Sequence, residues 1–184
     1  MSIKSKNNDE YEMPGLVVKV VPCDIKKLET EAVIVGFYED VRPLKGAAGE
    51  LDWLLCGALS NLVIQGKLLG ALGEVALLTS QGKIPAKKIF LLGLGPKERS
   101  SPRSLRSAAR IAAGSMRGAG VSNAGLAYLW TAGRADEENV RALREGLAEG
   151  AGGSDLSVSL IAPDAATCEL VSKLIEHNVP TRSS

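Results

Sequence analysis

The stretch KKIFLLGLGPKERSSPRSLRSAARIAAGSM, residues 87–116, decides the fold. Its run Ile89–Leu94 is apolar without alternation and ends at glycines, which is typical of a strand buried on both faces. Ser101 and Pro102 then form an N-cap and first-turn pair, the usual signature of a helix start. One helix face is apolar, and it carries Leu105, Ala108, Ala109, Ala112 and Met116. The stretch therefore predicts a buried strand, a glycine-containing loop and an amphipathic helix.

Composition favours an α/β protein, and the length suits one domain with a sizeable core. The chain has 184 residues, of which 45% are apolar and only 4% aromatic, so the core must consist mainly of Leu, Val, Ile and Ala. We expect a flexible arm over residues 1–15, one domain over residues 16–178 and a tail over residues 179–184. Net charge is +1, which gives no reason to expect bulk attraction to nucleic acid or to a membrane.

Periodicity predicts strands that alternate with helices. The predicted strands are 16–21, 32–37, 74–79, 88–92, 126–130 and 156–161. The first two predicted helices are 47–63 and the one that begins at Pro102. A third begins at about residue 135 and ends at the glycine run 150–153. The last is 164–177, with its inner face formed by Leu170, Val171, Leu174 and Ile175. This order predicts a three-layer fold with a mixed, mostly parallel sheet of about six strands between helices.

Cysteine usage indicates a reducing compartment. Cys23, Cys56 and Cys168 are widely spaced and odd in number, so they do not suggest a disulfide framework. We expect Cys56 to be a buried structural thiol, because it follows Leu55 on the inner side of the helix predicted over 47–63. The polar start MSIKSKNNDEYEMPG lacks the apolar core of a signal peptide, and we expect a cytoplasmic protein.

Three segments resemble a known family. They are EAVIVGFYED (31–40), the long run from LKGAAGELDW to MRGAGV (44–121), and ENVRALREGLAEGA (138–151). Together they resemble the N-terminal domain of the leucyl aminopeptidase, or cytosol aminopeptidase, family over about residues 16–151. The most specific parts are Gly73–Thr79, IPAKKIFLLGLG (84–95) and SLRSAAR (104–110). After Ala151 the sequence GGSDLSVSL departs from the family pattern.

The resemblance implies a macro-domain-like fold that does no chemistry itself. In the family this domain precedes a catalytic domain that uses two divalent metals, such as Zn or Mn, and it packs at the periphery of a hexamer. The family's catalytic signatures, of the types NTDAEGR and GKGxxFDSGG, do not occur in this sequence. We therefore predict no catalytic residue and no metal or other cofactor in this chain. The single histidine, His177, is expected at a helix end, and Asp136, Glu137 and Glu138 are expected to complement a helix dipole.

The glycine-containing loop is a candidate anion site. Gly93 and Gly95 precede a helix, with Lys97 and Arg99 beside them, and backbone N–H groups in such a loop attract phosphate. Macro-like folds bind ADP-ribose in a comparable place. The motif is neither GxGxxG nor GxxxxGK[ST], so it indicates an anion site only weakly, and the alternative is a strand-ending turn that needs small residues.

An arginine stripe is a candidate nucleic-acid surface. Between Lys83 and Arg117 there are nine Lys and Arg against the single acid Glu98, and the stripe itself is Arg103, Arg106, Arg110 and Arg117. The alternative is a solvated helix face paired with the acidic helix of residues 136–149. No aromatic residue interleaves with the arginines, so stacking on single strands is not indicated.

Three roles follow from these observations. The first is a non-catalytic domain for assembly or regulation, which self-associates or contacts an aminopeptidase catalytic domain. The second is a fragment of a complete metal-dependent leucyl aminopeptidase whose active site lies outside this chain. The third is a stand-alone module that binds ADP-ribose, another nucleotide or DNA.

Overall fold

A seven-stranded mixed sheet forms the centre of the computed structural model, which describes residues 10–127, 136–162 and 164–177. The strands are β1 Glu10–Met13, β2 Leu16–Val21, β3 Ala32–Phe37, β4 Val75–Thr79, β5 Lys88–Gly93, β6 Asn123–Ala127 and β7 Leu156–Ile161. The helices are α1 Gly46–Leu54, α2 Ala58–Ile64, α3 Pro102–Gly118, α4 Glu137–Ala151 and α5 Ala165–His177, with a 3₁₀ turn at Lys97–Arg99.

The strand order is β1-β2-β7-β6-β3-β5-β4. The five inner strands run parallel to one another, and the edge strands β1 and β4 are antiparallel to their neighbours. The predicted α/β class with a mostly parallel mixed sheet is confirmed, with one strand more than expected.

The additional strand, β1, comes from residues that the sequence had assigned to the flexible arm. The dipeptide Pro14–Gly15 turns the chain, with Gly15 at φ +76°, so that Met13 pairs with Leu16. Tyr11 and Met13 pack against the core, and the Tyr11 hydroxyl donates to the carbonyl of Ser172, 3.1 Å away. These contacts explain why β1 forms within the predicted arm.

The central strands are buried on both faces, as the absence of alternation predicts. In β3, Ile34 faces the core beneath α3, α4 and α5, whereas Val33 and Val35 face the core beneath α1 and α2. The same division holds in β5 for Phe90 and Ile89. Each face of the sheet therefore has its own apolar core.

Helix α3 begins as predicted. The Ser101 side chain accepts from the backbone N–H of Ser104, whose hydroxyl accepts from the N–H of Ser101, and Pro102 is the first helical residue. All five predicted inward positions are buried. The helix lies against α4, where Gly146 and Gly150 face the α3 backbone. Gly150 is thus a packing residue inside α4, and Gly152, at φ +56°, is the residue that caps it.

The single helix predicted over residues 47–63 is wrong, because the chain breaks it into α1 and α2, bent by 108°. At the break Cys56 and Gly57 adopt positive φ angles of 55° and 82°. Asp52 holds the bend, since its Oδ1 accepts from the backbone N–H groups of Leu59 and Ser60, both 2.9 Å or less away. The prediction that Cys56 is buried is also wrong: the break turns this residue outward and leaves it exposed.

Two further differences concern the end of the chain. Leu170, expected inside, is exposed, whereas Val171 and Ile175 are buried and Leu174 is partly buried. Strand β6 begins earlier than predicted, at Asn123, and the predicted strand residues 128–130 lie outside the described residues. His177 is the last residue of α5, as expected.

Candidate functional site

The carboxyl ends of β3 and β5 form the edge where this topology favours a ligand site. Strand β3 leads to α1 on one face of the sheet, whereas β5 leads to α3 on the other. In open α/β sheets, ligands bind in the crevice at such a change of direction. The segment that follows β6, residues 128–135, lies outside the described residues.

The predicted anion loop lies at this edge. Gly93 ends β5, Gly93 and Gly95 are buried, and Lys97 and Arg99 are exposed on the 3₁₀ turn. The backbone N–H groups of this loop donate within the chain: Gly93 to the Glu74 carbonyl at 2.8 Å, Leu94 to the Phe37 carbonyl at 2.9 Å, and Gly95 to the Gly70 carbonyl at 2.8 Å. The N–H of Lys97 donates to the Asp40 carboxylate at 2.9 Å. Anion binding at this loop stays a prediction, and the exposed groups that could serve it are the side chains of Lys97 and Arg99.

Close packing explains why residues 93 and 95 are glycines. Residues 68–74, which we call the strap, cross this edge. A Cβ at Gly93 would lie 2.2 Å from the Ala71 carbonyl oxygen, and one at Gly95, where φ is +75°, would lie 3.3 Å from Leu72 Cβ. Periodicity does not predict the strap, although Gly70 and Gly73 indicate a chain that approaches other backbone closely.

Two charged side chains hold the strap. Glu74 Oε2 accepts from the backbone N–H groups of Leu69 and Gly70, at 2.8 and 2.7 Å. The Arg42 guanidinium donates to the Leu69 carbonyl at 3.0 Å, and it lies 5.7 Å from the centre of the Phe37 ring. A carboxylate therefore accepts from the N–H groups of Leu69 and Gly70, and a guanidinium donates to the carbonyl of Leu69.

The arginine stripe faces helix α4 in part. Arg106 Nη1 lies 2.9 Å from Glu145 Oε2, and its Nη2 donates to Glu149. The hydrogen bond that Arg106 donates to Glu149 lowers the pKa of the Glu149 carboxyl and raises the pKa of the Arg106 guanidinium. This contact agrees with the alternative in which the stripe pairs with the acidic helix.

The other three arginines differ in their surroundings. Arg110 is exposed, and its charge also helps to lower the pKa of Glu149. Arg117 Nη1 lies 3.4 Å from the carbonyl oxygen of Ala151, at the C-terminus of α4, where a cation is favourable. Arg103 is exposed on the first turn of α3. A nucleic-acid contact by these residues stays a prediction.

Acidic residues at the start of α4 have a local role. The Asp136 carboxylate accepts from the backbone N–H of Asn139 at 2.8 Å and so caps the helix, with Glu137 and Glu138 exposed in its first turn.

Within residues 10–127, 136–162 and 164–177, no group of three or more His, Cys, Asp and Glu side chains is placed to hold a metal ion. No single helix in those ranges is long and apolar enough to cross a membrane, although α1 and α2 together pass that test as a bent pair.

Large apolar side chains are exposed in one part of the chain. Trp53 and Ile64 are 81% and 83% exposed, and Leu69, Leu72 and Leu77 are each at least 45% exposed. These five, which we call the exposed apolar set, all lie in the connection between β3 and β5. The only other large apolar side chain exposed among the described residues is Leu170. Periodicity alone did not reveal this set.

Comparison with known proteins identifies the family. Residues 34–151 match the model of the cytosol aminopeptidase family, N-terminal domain. A probable cytosol aminopeptidase of Pseudomonas syringae pv. syringae is 34% identical over 137 residues, which cover 73% of this chain and 27% of that protein. One of Geobacter sulfurreducens is 34% identical over 110 residues, covering 59% of this chain and 22% of that protein. The matches thus span only 16% to 27% of the length of such curated relatives.

Solved structures show the same fold. A tomato leucine aminopeptidase mutant superposes with a TM-score of 0.65 at 21% identity, over 87% of this chain and 35% of that one. The Oceanobacillus iheyensis macrodomain with ADP gives a TM-score of 0.75 at 13% identity, over 91% and 94% of the two chains. The macro-domain-like fold is therefore confirmed, and the chain belongs to the cytosol aminopeptidase family as an N-terminal domain.

Proposed function

We propose that this N-terminal domain is non-catalytic and serves the assembly or regulation of a cytoplasmic aminopeptidase. The observation that carries the proposal is the exposed apolar set, five large side chains in the single connection between β3 and β5. Large apolar side chains that stay exposed in a folded domain are candidates for burial in a protein contact. The partner is a second copy of the chain or an aminopeptidase catalytic domain.

Trp53 and Ile64 are the side chains that would bury the largest exposed fraction of their surface in a contact. Each is more than four-fifths exposed, at or near the end of a short helix. Burial of a tryptophan covers about 150–250 Å² and contributes roughly 4–6 kcal/mol before the costs of association. Tryptophan is also enriched among the residues that dominate binding energy in protein interfaces.

Sedimentation equilibrium of variants tests this role. We expect Trp53→Ala and Ile64→Ala to weaken self-association, or binding to an aminopeptidase catalytic domain, by about tenfold or more. Leu170→Ala is the matched control, because it removes an exposed apolar side chain on α5, outside the exposed apolar set. Equal behaviour of all three variants and the unaltered chain would count against the proposal.

The second candidate role is that of a fragment of a complete enzyme, and the short span of this chain against its relatives favours it. In that case the activity is metal-dependent removal of N-terminal residues, with two divalent metals such as Zn or Mn at an active site outside this chain. A peptidase assay of the chain with added Zn²⁺ or Mn²⁺ tests whether the active site lies outside this chain. We expect no turnover, and metal-dependent hydrolysis by the chain alone would refute its non-catalytic role.

The third candidate role is ligand binding, which the solved macrodomain with ADP favours through its similar fold. ADP-ribose would contact the side chains of Lys97 and Arg99 beside Gly93 and Gly95. DNA would contact Arg103 and Arg110, since Arg106 is paired with α4. Calorimetry with ADP-ribose and with a short DNA duplex tests both ligands, and one-to-one uptake of ADP-ribose would replace the assembly proposal with a binding role.

A further inference from the structure

We propose that Glu74 fills a backbone anion cradle at the carboxyl edge of the sheet, so that an internal carboxylate closes this edge to external anions. The cradle consists of the N–H groups of Leu69 and Gly70 in the strap. This inference goes beyond the assembly proposal, because it concerns backbone N–H groups of the strap, whereas that proposal concerns exposed side chains, of which Leu69 and Leu72 also belong to the strap.

The geometry of the strap supports the inference. Two successive N–H groups point to one oxygen, Glu74 Oε2, at 2.8 and 2.7 Å. Successive backbone N–H groups that converge in this way form a concave site for an anion, and hydrogen bonds to a charged acceptor are the stronger kind. The carboxylate thus occupies the position that an oxygen of a bound phosphate would take.

The strap is also fixed where it crosses the edge. The Gly70 carbonyl accepts from the N–H of Gly95, and a Cβ at Gly70 would lie 2.9 Å from both the N and the Cα of Glu39. Arg42 holds the Leu69 carbonyl from the other side. These contacts position the cradle above the ends of β3 and β5 and do not involve the Glu74 carboxylate.

A second carboxylate, that of Asp40, also accepts from a backbone N–H at this edge. Asp40 Oδ1 accepts from the N–H of Lys97 at 2.9 Å, the donor closest to the predicted anion-binding side chains. At an edge where α/β folds offer N–H groups to ligands, this chain directs two of its own acids to them. The side chain of Glu98, on the 3₁₀ turn beside Lys97, is exposed and has no hydrogen bond or ion pair with the described part of the chain.

The test compares Glu74→Ala with Glu98→Ala, with inorganic pyrophosphate as the probe. Both variants remove one negative charge from the same edge, but only the first empties the cradle. By titration calorimetry we expect Glu74→Ala to bind pyrophosphate about tenfold more tightly than Glu98→Ala or the unaltered chain. In hydrogen exchange, the amides of Leu69 and Gly70 should exchange faster in Glu74→Ala, and pyrophosphate should slow them again.

Several results would overturn the proposal. One is a folded Glu74→Ala variant that binds pyrophosphate no better than Glu98→Ala, and another is an unaltered chain that binds it as tightly as Glu74→Ala does. If Glu74→Ala does not fold, Glu74→Gln serves, because it keeps an acceptor oxygen and removes the charge. We expect the Leu69 and Gly70 amides to exchange faster in Glu74→Gln than in the unaltered chain, and equal rates would contradict the role of the carboxylate.

Discussion

Replacing Gly146 or Gly150 by alanine tests how closely α3 and α4 must approach. A Cβ at Gly150 would lie 2.1 Å from the Arg110 carbonyl oxygen and 2.8 Å from Ala113 Cβ. A Cβ at Gly146 would lie 2.2 Å from the Arg106 carbonyl oxygen. Carbon and carbonyl oxygen normally stay about 3.3–3.6 Å apart, so each methyl group would force the helices apart by about 1 Å.

The size of the effect follows from two opposing contributions. Overpacking costs about 1–3 kcal/mol, and the upper value applies because a helix carbonyl cannot rotate away. Alanine regains about 1 kcal/mol of helix propensity over glycine. Each variant should therefore lose about 2 kcal/mol of unfolding free energy, which lowers Tm by about 4–8 °C for a chain of this size. The double variant should lose less than the sum, since both methyl groups separate the same pair of helices.

Urea denaturation followed by circular dichroism measures these differences. The matched control is Gly114→Ala in α3, where an added Cβ meets no atom within 4 Å. It should raise the unfolding free energy by up to about 1 kcal/mol through helix propensity alone. If Gly146→Ala and Gly150→Ala raise the unfolding free energy as much as Gly114→Ala does, the close approach of α3 and α4 is refuted.

Three further predictions concern other parts of the molecule. Cys56 is exposed and Cys168 buried, so in the native state a thiol reagent followed by mass spectrometry should modify Cys56 first. Asp52→Ala should lower the unfolding free energy in urea by about 1–2 kcal/mol, because it uncaps the first turn of α2. The Ser122 hydroxyl lowers the pKa of Glu31, so this contact stabilises the fold above the ordinary glutamate pKa of about 4.3 and is lost as pH falls through the lower folded value. Urea denaturation across acidic pH should accordingly show a weaker pH dependence for Ser122→Ala.

Short-range patterns accounted for much of the fold. The unbroken apolar run of β5 and the Ser101–Pro102 start of α3 are local features, and both appear in the structure where they were predicted. The break at Cys56 was missed because the apolar spacing continues through it, while a carboxylate seven residues from Leu59 decides the geometry. Such a side-chain cap leaves no periodic signal.

The candidate site was harder to predict, because its contacts join distant segments. The glycines at 93 and 95 were recognised as special, but the strap that explains them comes from residues 68–74. The pairing of Arg106 with α4 was foreseen only as an alternative, since it depends on how two helices lie side by side. The exposure of Trp53 and Ile64 also follows from tertiary packing rather than from spacing.

The molar mass in solution, measured by light scattering, tests the central claim most directly. The chain should be examined alone, with ADP-ribose and with a short DNA duplex. We expect a discrete multiple of the 19.3 kDa chain that neither ligand changes, as assembly through self-association requires. A 19.3 kDa monomer at all concentrations that takes up ADP-ribose one to one would contradict the account and would favour the ligand-binding role instead.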